Sequence, residues 1–368
     1  MRKTAYQRAR VYGSVRSAHL ERAHALDPAS ILHRRFRYDF DPALAEGLDL
    51  VRGSVPSLAV TLLRSRLSGL EVNEPLLRSG LVKTAVVVTA ARWGARLRRA
   101  ELLVVSYAIE NRDAYAERPG RLRSRLRQQL DWALARHVTR RTDRIAFGTS
   151  AAADLYAARL GHVLDGVTTA VVPAVPAPCD CAGGAAPDEG RDPDGVVFLG
   201  ALDERKGFRQ LAAAWPEVLR LHPGARLTVV GKGPLVELAR GVEQEHPGVT
   251  LVLDPPRTEV HAALRRSAVL VLLSQPSATW REQVGLPLVE GLAHGCTVVA
   301  TTETGLAAWL GEHGHEVLDP AAGPEEVARR VTSSLARRRS AASVLADLPA
   351  EDGRLAADRW LFAPREPS

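Results

Sequence analysis

Cysteine is scarce in this chain. Only Cys179, Cys181 and Cys296 occur among 368 residues, too few and too unevenly placed for a disulfide framework. The pair Cys179-Asp180-Cys181 lacks the C-x2-C…C-x2-C spacing that is typical of a zinc site. We therefore expect a reduced thiol pair in a loop, no metal ligands in the chain and no cofactor.

Long apolar runs are also missing. The longest, such as AVLVLL at residues 268–273, are far below the roughly 18 residues that a membrane-spanning helix requires. The start, MRKTAYQRARVYGSV, is basic but has no apolar segment of the secretory kind. We expect a cytoplasmic protein.

Lysine is the third rarity, because only Lys3, Lys83, Lys206 and Lys232 occur and the net charge of +7 comes mainly from arginine. A basic chain favours anionic partners such as phosphates, lipid headgroups or nucleic acid. Nucleic acid is not expected, since no recognised module and little aromatic interleaving are present.

The length of 368 residues predicts two domains of roughly 150 to 180 residues each. Residues 173–195 are rich in Pro, Gly, Ala and Asp and have no apolar period, which is typical of a linker. We predict an N-terminal domain over 1–172, a linker over 173–194 and a second domain over 195–345. Residues 346–368 are predicted to form a tail that packs back on the N-terminal domain.

Predicted strands and helices alternate after the linker. Strands are predicted at 196–200, 225–231, 249–254, 268–274 and 296–302, and helices at 207–222, 234–246, 259–267, 285–295 and 324–339. The N-terminal domain shows strands at 48–53, 69–75, 101–109, 144–150 and 168–174 and a helix at 85–99, whereas the first forty residues give no clear pattern. Such alternation predicts an α/β protein with two Rossmann-like parallel-sheet domains facing a central cleft, where ligands bind at the carboxyl ends of strands.

Two lysines stand in loops that follow predicted strands. Lys206 lies between Gly200 and the helix that begins near Gly207, and Lys232 lies inside Gly231-Lys232-Gly233-Pro234. A lysine beside a helix N-terminus is an anion site. The spacing of the glycines is neither a dinucleotide fingerprint nor a P-loop, and solvated turn lysines are the alternative.

Two carboxylates flank the start of the helix predicted at 285–295. Glu282 lies in the preceding loop and Glu290 in the second helical turn. The N–H groups of Val284, Gly285 and Leu286 can cradle a diphosphate, and carboxylates accept hydrogen bonds from sugar diols. This arrangement indicates a nucleotide-sugar site; the alternative is that Glu290 is a buried helix glutamate paired with an arginine.

These motifs resemble those of the retaining nucleotide-sugar glycosyltransferases of family 4 (glycosyl transferases group 1), which have the GT-B fold. The E-x7-E element is Glu282 to Glu290, and three glycine-containing elements match at 200–207, 231–234 and 295–301. A looser resemblance extends to residues 106–111, 145–156 and 170–176.

The resemblance implies roles for individual residues. Lys206 and the amides near Gly285 would contact the donor diphosphate, Glu290 the ribose and Glu282 the hydroxyls of the transferred sugar. The loop around Asp254 would flank the nucleobase. The implied reaction retains anomeric configuration, needs no catalytic metal and serves polysaccharide or glycolipid biosynthesis, with a carbohydrate, lipid-linked or small-molecule acceptor.

Two departures from the family pattern concern catalysis. The family's arginine after the first glycine is Ala201 here, and Arg205 or Arg281 is the candidate to replace it. No strand with a glycine-rich loop is evident at the N-terminus, and the family's histidine in that domain has no match. Tyr107, Glu110 and Asn111 occupy the corresponding region, so Glu110 is the candidate catalytic residue there, in addition to the candidate catalytic residue Glu282 of the second domain.

Three other interpretations stay open. A metal-dependent transferase of the GT-A type would use an Asp-x-Asp motif. Two segments match this motif, Asp39-Phe40-Asp41 and Asp192-Pro193-Asp194. An inactive homologue would bind a nucleotide sugar without reacting. A membrane-surface protein would use the arginine-rich segment 121–141 as an interfacial helix, although its apolar stripe is also typical of a helix packed on a sheet. The stripe consists of Leu122, Leu126, Leu130, Leu134 and Val138.

Overall fold

The computed structural model describes residues 3–37, 40–116, 121–182, 186–277 and 280–364. The chain divides into two compact units, one formed by Met1–Val172 with Arg354–Ser368 and the other by Pro173–Gly353. The segment 173–194, predicted as a linker, therefore belongs to the second unit, and the tail predicted at 346–368 is divided between the two units at residue 354.

The first unit is built on a parallel sheet of seven strands with the order β5-β3-β1-β6-β7-β8-β9. Its strands, with the small β2–β4 pair, are β1 Arg8–Val11, β2 Ser14–Val15, β3 Ser30–His33, β4 Arg35–Phe36, β5 Leu50–Arg52, β6 Gly69–Val72, β7 Leu103–Ala108, β8 Arg144–Phe147 and β9 Thr168–Val171. Its helices are α1 Ser17–Ala25, α2 Val55–Arg64, α3 Leu81–Leu97, α4 Leu122–Thr139 and α5 Ser150–Leu160. The five strands and the helix that the sequence predicts between residues 48 and 174 are confirmed.

The second unit contains a parallel sheet of six strands with the order β12-β11-β10-β13-β14-β15. The strands are β10 Asp192–Leu199, β11 Arg226–Val230, β12 Val249–Val252, β13 Ser267–Leu272, β14 Thr297–Thr301 and β15 Glu316–Leu318. The helices are α6 Phe208–Leu221, α7 Val236–Glu245, α8 Arg257–Arg266, α9 Leu286–Ala293, α10 Ala307–Glu312, α11 Pro324–Arg337 and α12 Ala341–Ala346. The prediction of alternating strands and helices is confirmed, but β10 begins at Asp192, inside the segment predicted as linker.

The last helix, α13 (Gly353–Phe362), packs on the first unit. Ala357 and Leu361 of this helix are buried against Val105 and Ala146 of β7 and β8. Its Asp358 accepts a hydrogen bond from Arg10 of β1 at 3.1 Å.

The first strand, β1, has no counterpart in the sequence-based prediction. Its Arg10 is 1% exposed and binds Glu71 of β6 as well as Asp358. Arg354 of α13 binds the same two carboxylates. A buried charge is stable only when it is paired, so this cluster of Arg10, Glu71, Arg354 and Asp358 accounts for an arginine in a central strand.

In each sheet the first strand of the unit lies inside the sheet, and the strand order reverses beside it. The reversal falls between β1 and β6 in the first unit and between β10 and β13 in the second. Ligands of open α/β sheets bind at the carboxyl ends of the strands at this point. A ligand site of the second unit is therefore expected at the loops after β10 and β13.

Helix α4 differs from the packed helix that was one expectation. Val138 is fully buried, but Leu122, Leu126 and Leu130 are 70%, 58% and 56% exposed. The prediction that the whole leucine stripe packs on the sheet was therefore wrong. Within the part of the chain that the structure describes, no helix has the length and apolar character needed to cross a bilayer.

Of the two Asp-x-Asp motifs, the structure describes Asp192-Pro193-Asp194 in full, and both of its carboxylates have basic partners. Asp192 is bound by Arg226, and Asp194 lies 2.9 Å from His222 Nε2. Asp39 of the other motif lies outside the described residues.

Candidate functional site

The loops after β10 and β13 meet in a buried ion pair. The ammonium of Lys206 donates a hydrogen bond to the Glu282 carboxylate, and the side chains of the two residues are only 14% and 10% exposed. The Ser274 hydroxyl donates to the same carboxylate oxygen at 3.1 Å. The structure thus brings together Lys206 and Glu282 at the point where the strand order reverses, and it adds Ser274, which the sequence analysis missed.

Glycines allow these loops to pack closely. A Cβ on Gly207, whose φ is +72°, would stand 1.9 Å from the Leu273 carbonyl oxygen at the end of β13. A Cβ on Gly231, at φ +156°, would stand 1.8 Å from the carbonyl oxygen of Gly200. Gly200 in turn donates its N–H to Val230 at 3.0 Å. Only glycine fits at such contacts, which explains the glycine turns after β10 and β11.

Trp280 lines the same site. The guanidinium carbon of Arg205 lies 4.6 Å from its ring centroid, and the Lys206 ammonium lies 5.3 Å from it. Cations over an indole face are attracted by the ring quadrupole. Arg205 also binds Asp203 at 2.6 Å. It therefore lies beside Lys206, in the same loop as Ala201, which occupies the position of the family's arginine.

The other candidate replacement, Arg281, is paired differently. Its guanidinium lies 3.4 Å from the Glu303 carboxylate and donates to the Thr302 carbonyl at 3.3 Å. The structure thus places both candidate arginines near the loop ends, each with an acidic partner of its own.

Helix α9 begins as the sequence predicts. Gly285 is its N-cap with φ +87°, Pro287 stands in the first turn, and Leu286 is 62% exposed. The loop before it is held by the Thr304 hydroxyl, which donates to the Val284 carbonyl at 2.8 Å.

Glu290, in the second turn of α9, accepts a hydrogen bond from Arg257 of α8 at 2.8 Å. Its side chain is 27% exposed and that of Arg257 is 67% exposed. This arginine-paired arrangement is the alternative to ribose binding that the sequence leaves open. A largely exposed arginine can swing into solvent, so the pair leaves the carboxylate available to a competing diol.

Lys232 and Asp254 form a second pair between neighbouring loops, at 2.7 Å and with both side chains 69% exposed. The loops follow β11 and β12, beside the strand end that carries Lys206. Such an exposed pair contributes little to stability, which leaves both groups available to a ligand.

In the first unit, Glu110 follows β7 and contacts a buried carboxylate. Its N–H donates to Glu74 at 2.9 Å, and the N–H of Ile109 donates to the same oxygen at 3.1 Å. Burial raises the pKa of Glu74 from 4.5 to about 8. Glu74 lies just after β6, within the predicted strand 69–75. Its position at the carboxyl end of a strand is the feature of the sequence that could have indicated it.

A cavity of about 210 Å³ lies at the strand reversal of the first unit. Its polar lining includes Tyr12, His19, Arg22, Glu74, Tyr107 and Arg354. The cavity has polar and apolar lining residues and reaches Ile109 in the loop after β7.

The fold is that of the GT-B glycosyltransferases. WaaG, a glycosyltransferase involved in lipopolysaccharide biosynthesis, superimposes with a TM-score of 0.58 at 15% identity, covering 97% of this chain and 100% of WaaG. HepE of Anabaena, in complex with UDP and glucose, superimposes with a TM-score of 0.60 at 14% identity, covering 96% of this chain and 95% of HepE. At these identities the likeness shows the fold alone.

The second unit also matches a family by sequence. Residues 193–337 match the family model described as "Glycosyl transferases group 1", and all of them lie in the second unit. Phosphatidyl-myo-inositol mannosyltransferase of Propionibacterium freudenreichii subsp. shermanii is 38% identical over 106 residues, 28% of this chain and 25% of that protein. Glycogen synthase of Mycobacterium tuberculosis is 30% identical over 117 residues, 31% of this chain and 27% of that protein. The matches thus span about a quarter of the length of each relative.

Proposed function

We propose that this protein transfers a sugar from a nucleoside-diphosphate donor to an acceptor, with retention of anomeric configuration and without a catalytic metal. The observation that carries the proposal is the buried Lys206–Glu282 pair, held where the strand order reverses in the segment that matches the group 1 glycosyltransferase family. A buried ammonium beside a helix N-terminus is suited to a leaving diphosphate.

The donor would lie across the carboxyl ends of β10, β11 and β13. Lys206 and the N-terminus of α9 neutralise the diphosphate, with Arg205 or Arg281 as the second cation. Glu282 accepts hydrogen bonds from the transferred sugar, and Lys232 and Asp254 flank the nucleobase. With protein cations and a helix dipole at the leaving group, no divalent ion is required for this step.

Glu290 takes the ribose diol in this proposal, which requires Arg257 to release it. The test is thermal stability with UDP, GDP, ADP, dTDP and their sugars, for the wild type, Glu290→Ala and Arg257→Ala. A ligand at a hundred times its dissociation constant stabilises the fold by about 2.7 kcal/mol. Both variants lose the Arg257–Glu290 ion pair, so its loss cannot cause a difference between them. Glu290→Ala also removes the carboxylate that would bind the ribose, so only this variant should lose the stabilisation by nucleotide.

The outcomes separate the alternatives. If both variants keep the full shift, Glu290 is a structural partner of Arg257 and ribose binding is wrong. A wild type that no nucleotide stabilises contradicts donor binding altogether. If a nucleotide sugar binds and is neither transferred nor hydrolysed, the inactive-homologue interpretation holds.

Retention and metal independence need their own measurement. We expect proton NMR of the first-formed product to show the anomer of the donor, at a rate unchanged by added Mg²⁺ or Mn²⁺. The inverted anomer, or strict dependence on either ion, would contradict the proposal.

The first unit is proposed to bind the acceptor, with Glu110 as the candidate catalytic residue beside the 210 Å³ cavity. Glu110→Gln should lower kcat with little change in nucleotide affinity. An unchanged kcat would remove Glu110 from the proposed machinery.

A second proposal is peripheral contact with an anionic membrane, which would place the protein at the inner face of the cytoplasmic membrane. Exposed apolar side chains on α4 (Leu122, Leu126, Leu130) and α3 (Val82, Val86, Trp93, Leu97) support it, as does the net charge of +7. An apolar groove of about 690 Å³ runs where α2, α3 and α4 meet. Exposed apolar patches of this kind mark interaction surfaces.

Co-flotation with vesicles tests this contact. The wild type should float with phosphatidylglycerol vesicles and much less with phosphatidylcholine vesicles, and the triple variant Leu122→Ser, Leu126→Ser, Leu130→Ser should lose flotation. Leu221→Ser, an exposed leucine at the end of α6, is the control. Equal flotation of the triple variant and the control would contradict the contact through α4.

A further inference from the structure

Four side chains that no step of the proposed reaction uses converge in the second unit. They are Cys179, Cys181, His261 and His294, and one ligand atom from each lies within 4.8 Å of all the others. The cysteines lie in the segment before β10, His261 is in α8, and His294 directly follows α9. Three separate parts of the chain therefore supply the cluster.

We propose that this cluster is a structural Zn²⁺ site with two thiolate and two imidazole ligands. Cys179 Sγ lies 3.7 Å from His261 Nδ1, Cys181 Sγ lies 3.2 Å from His294 Nε2, and the two ring nitrogens are 3.1 Å apart. Zinc bond lengths of about 2.3 Å to sulfur and 2.0 to 2.1 Å to nitrogen place tetrahedral ligand atoms about 3.3 to 3.8 Å apart. These three separations are within a few tenths of an ångström of the tetrahedral values, and all four ligand atoms lie within 4.8 Å of one another.

The partner of His294 on its far side fixes which nitrogen faces the cluster. Its Nδ1 lies 2.6 Å from the carbonyl oxygen of Glu290. A carbonyl only accepts, so Nδ1 carries the proton and Nε2 presents a lone pair towards Cys181 Sγ and His261 Nδ1. Metal-bound histidines are usually held in this way by a carbonyl or carboxylate.

The sulfur ligands are also supported. The Arg265 guanidinium donates to Cys181 Sγ at 3.1 Å and to the Cys181 carbonyl at 3.3 Å. This guanidinium would offset part of the negative charge that two sulfur ligands bring to the cluster. The N–H of Cys181 donates to Cys179 Sγ at 3.4 Å.

The backbone holds the thiol pair against α9. The N–H of Cys179 donates to the carbonyl of Ala293, the last residue of α9, at 2.9 Å. The loop is thus anchored beside His294, and binding an ion requires side-chain adjustment rather than refolding of the segment.

The donor set selects the metal and its role. Two thiolates with two imidazoles suit zinc, whereas magnesium and calcium prefer oxygen ligands. A site closed by four protein ligands leaves no position for substrate, so the ion is structural and the proposed transfer stays independent of it. The ion would tie the segment before β10 to α8 and α9, the helices that carry Arg257 and Glu290.

The test is metal content of the full chain, purified without a histidine tag. We expect about one zinc per chain by inductively coupled plasma mass spectrometry. Cys181→Ser and His294→Ala should each lower the content at least roughly tenfold, because each removes one of the four proposed ligands, and even loss of a group behind a ligand costs about 10- to 100-fold in affinity. Cys296→Ser is the matched control, since its buried thiol donates to Leu264 at 3.2 Å outside the cluster, and it should keep the zinc.

A measurement on the wild type guards against variants that fail to fold. Removing zinc with a chelator should lower Tm, and adding zinc back should restore it. Cobalt in place of zinc should give the visible bands of a tetrahedral ion and the near-ultraviolet charge transfer of bound thiolate.

Either of two results overturns the proposal. One is wild-type protein that, after reduction and incubation with Zn²⁺, holds no more metal than Cys181→Ser. The other is a Cys179–Cys181 disulfide in the native protein, with no zinc bound after its reduction. Nucleotide-induced stabilisation is measured separately, so failure of the metal site and failure of the glycosyltransferase proposal can be told apart.

Discussion

At the scale of residues, the candidate donor site depends on one buried pair of charges. Glu282 is 7% exposed and receives hydrogen bonds from Lys206 and Ser274. Removing one member of a buried pair leaves the other desolvated and unpaired, which costs far more than the pair contributes. Replacing either member should therefore lower the free energy of unfolding, which can be measured without a substrate.

We expect Lys206→Met to lower the free energy of unfolding by about 3 kcal/mol, because Glu282 is left without its cation. Adding Glu282→Gln should recover part of this loss, with a coupling energy of about 1 to 3 kcal/mol. Urea unfolding of the two single variants and the double variant measures this. Strictly additive losses would mean that the two side chains do not interact.

The sequence predicts individual site residues unevenly. Lys206, Glu282 and the glycine turns follow strands with clear apolar patterns, so their positions at strand ends could be inferred. The Arg257–Glu290 contact and the Cys–His cluster could not be inferred in the same way. Their members are 33, 82 and 113 residues apart in the chain, and no spacing rule relates them.

At the scale of elements, β1 shows one reason why a strand escapes prediction: it carries charges that are paired with distant residues. β10, β11, β13 and β14 have apolar runs, and all were predicted. β1 reads Arg-Ala-Arg-Val, and its Arg10 is buried only because Glu71 and Asp358 neutralise it. The second partner comes from α13, 348 residues later, so the local pattern cannot indicate a central strand.

Two glycines of the second unit provide a test of close loop packing. Gly231→Ala should lower the free energy of unfolding by at least about 3 kcal/mol, since its Cβ would overlap the Gly200 carbonyl. Gly241 lies in α7 with open space around the Cβ position, so Gly241→Ala should raise it by about 1 kcal/mol. Thermal unfolding of the two variants decides; a Gly231→Ala protein as stable as the wild type would contradict the packing of the loops after β10 and β11.

At the scale of the whole molecule, the two units repeat one architecture with separate cores. Each has a parallel sheet whose strand order reverses beside its first strand, and each has its own large apolar cluster. Ionisable groups lie at the reversal in both, the Lys206–Glu282 pair in the second unit and the buried Glu74, whose pKa burial raises to about 8, in the first. The raised pKa of Glu74 makes the first unit sensitive to rising pH.

The pH dependence of stability should show the buried Glu74. Burial raises its pKa from 4.5 to about 8, so between these values the folded protein holds a proton that the unfolded chain has released. Its contribution to stability is fully present below about pH 4.5 and is lost as pH rises towards 8, by at most about 1.4 kcal/mol per pH unit.

Glu74→Gln fixes this side chain in a neutral form that still accepts hydrogen bonds from the N–H groups of Ile109 and Glu110. Relative to this variant, the wild type should therefore lose stability from pH 5 to pH 8 in calorimetric melts. Glu245→Gln, an exposed glutamate at the end of α7, controls for the loss of one surface charge and should follow the wild type at every pH. Parallel curves for the wild type and Glu74→Gln would mean that the Glu74 carboxyl is ionised in the folded protein, and the cavity at the first unit's strand reversal would then present a negative charge to its acceptor.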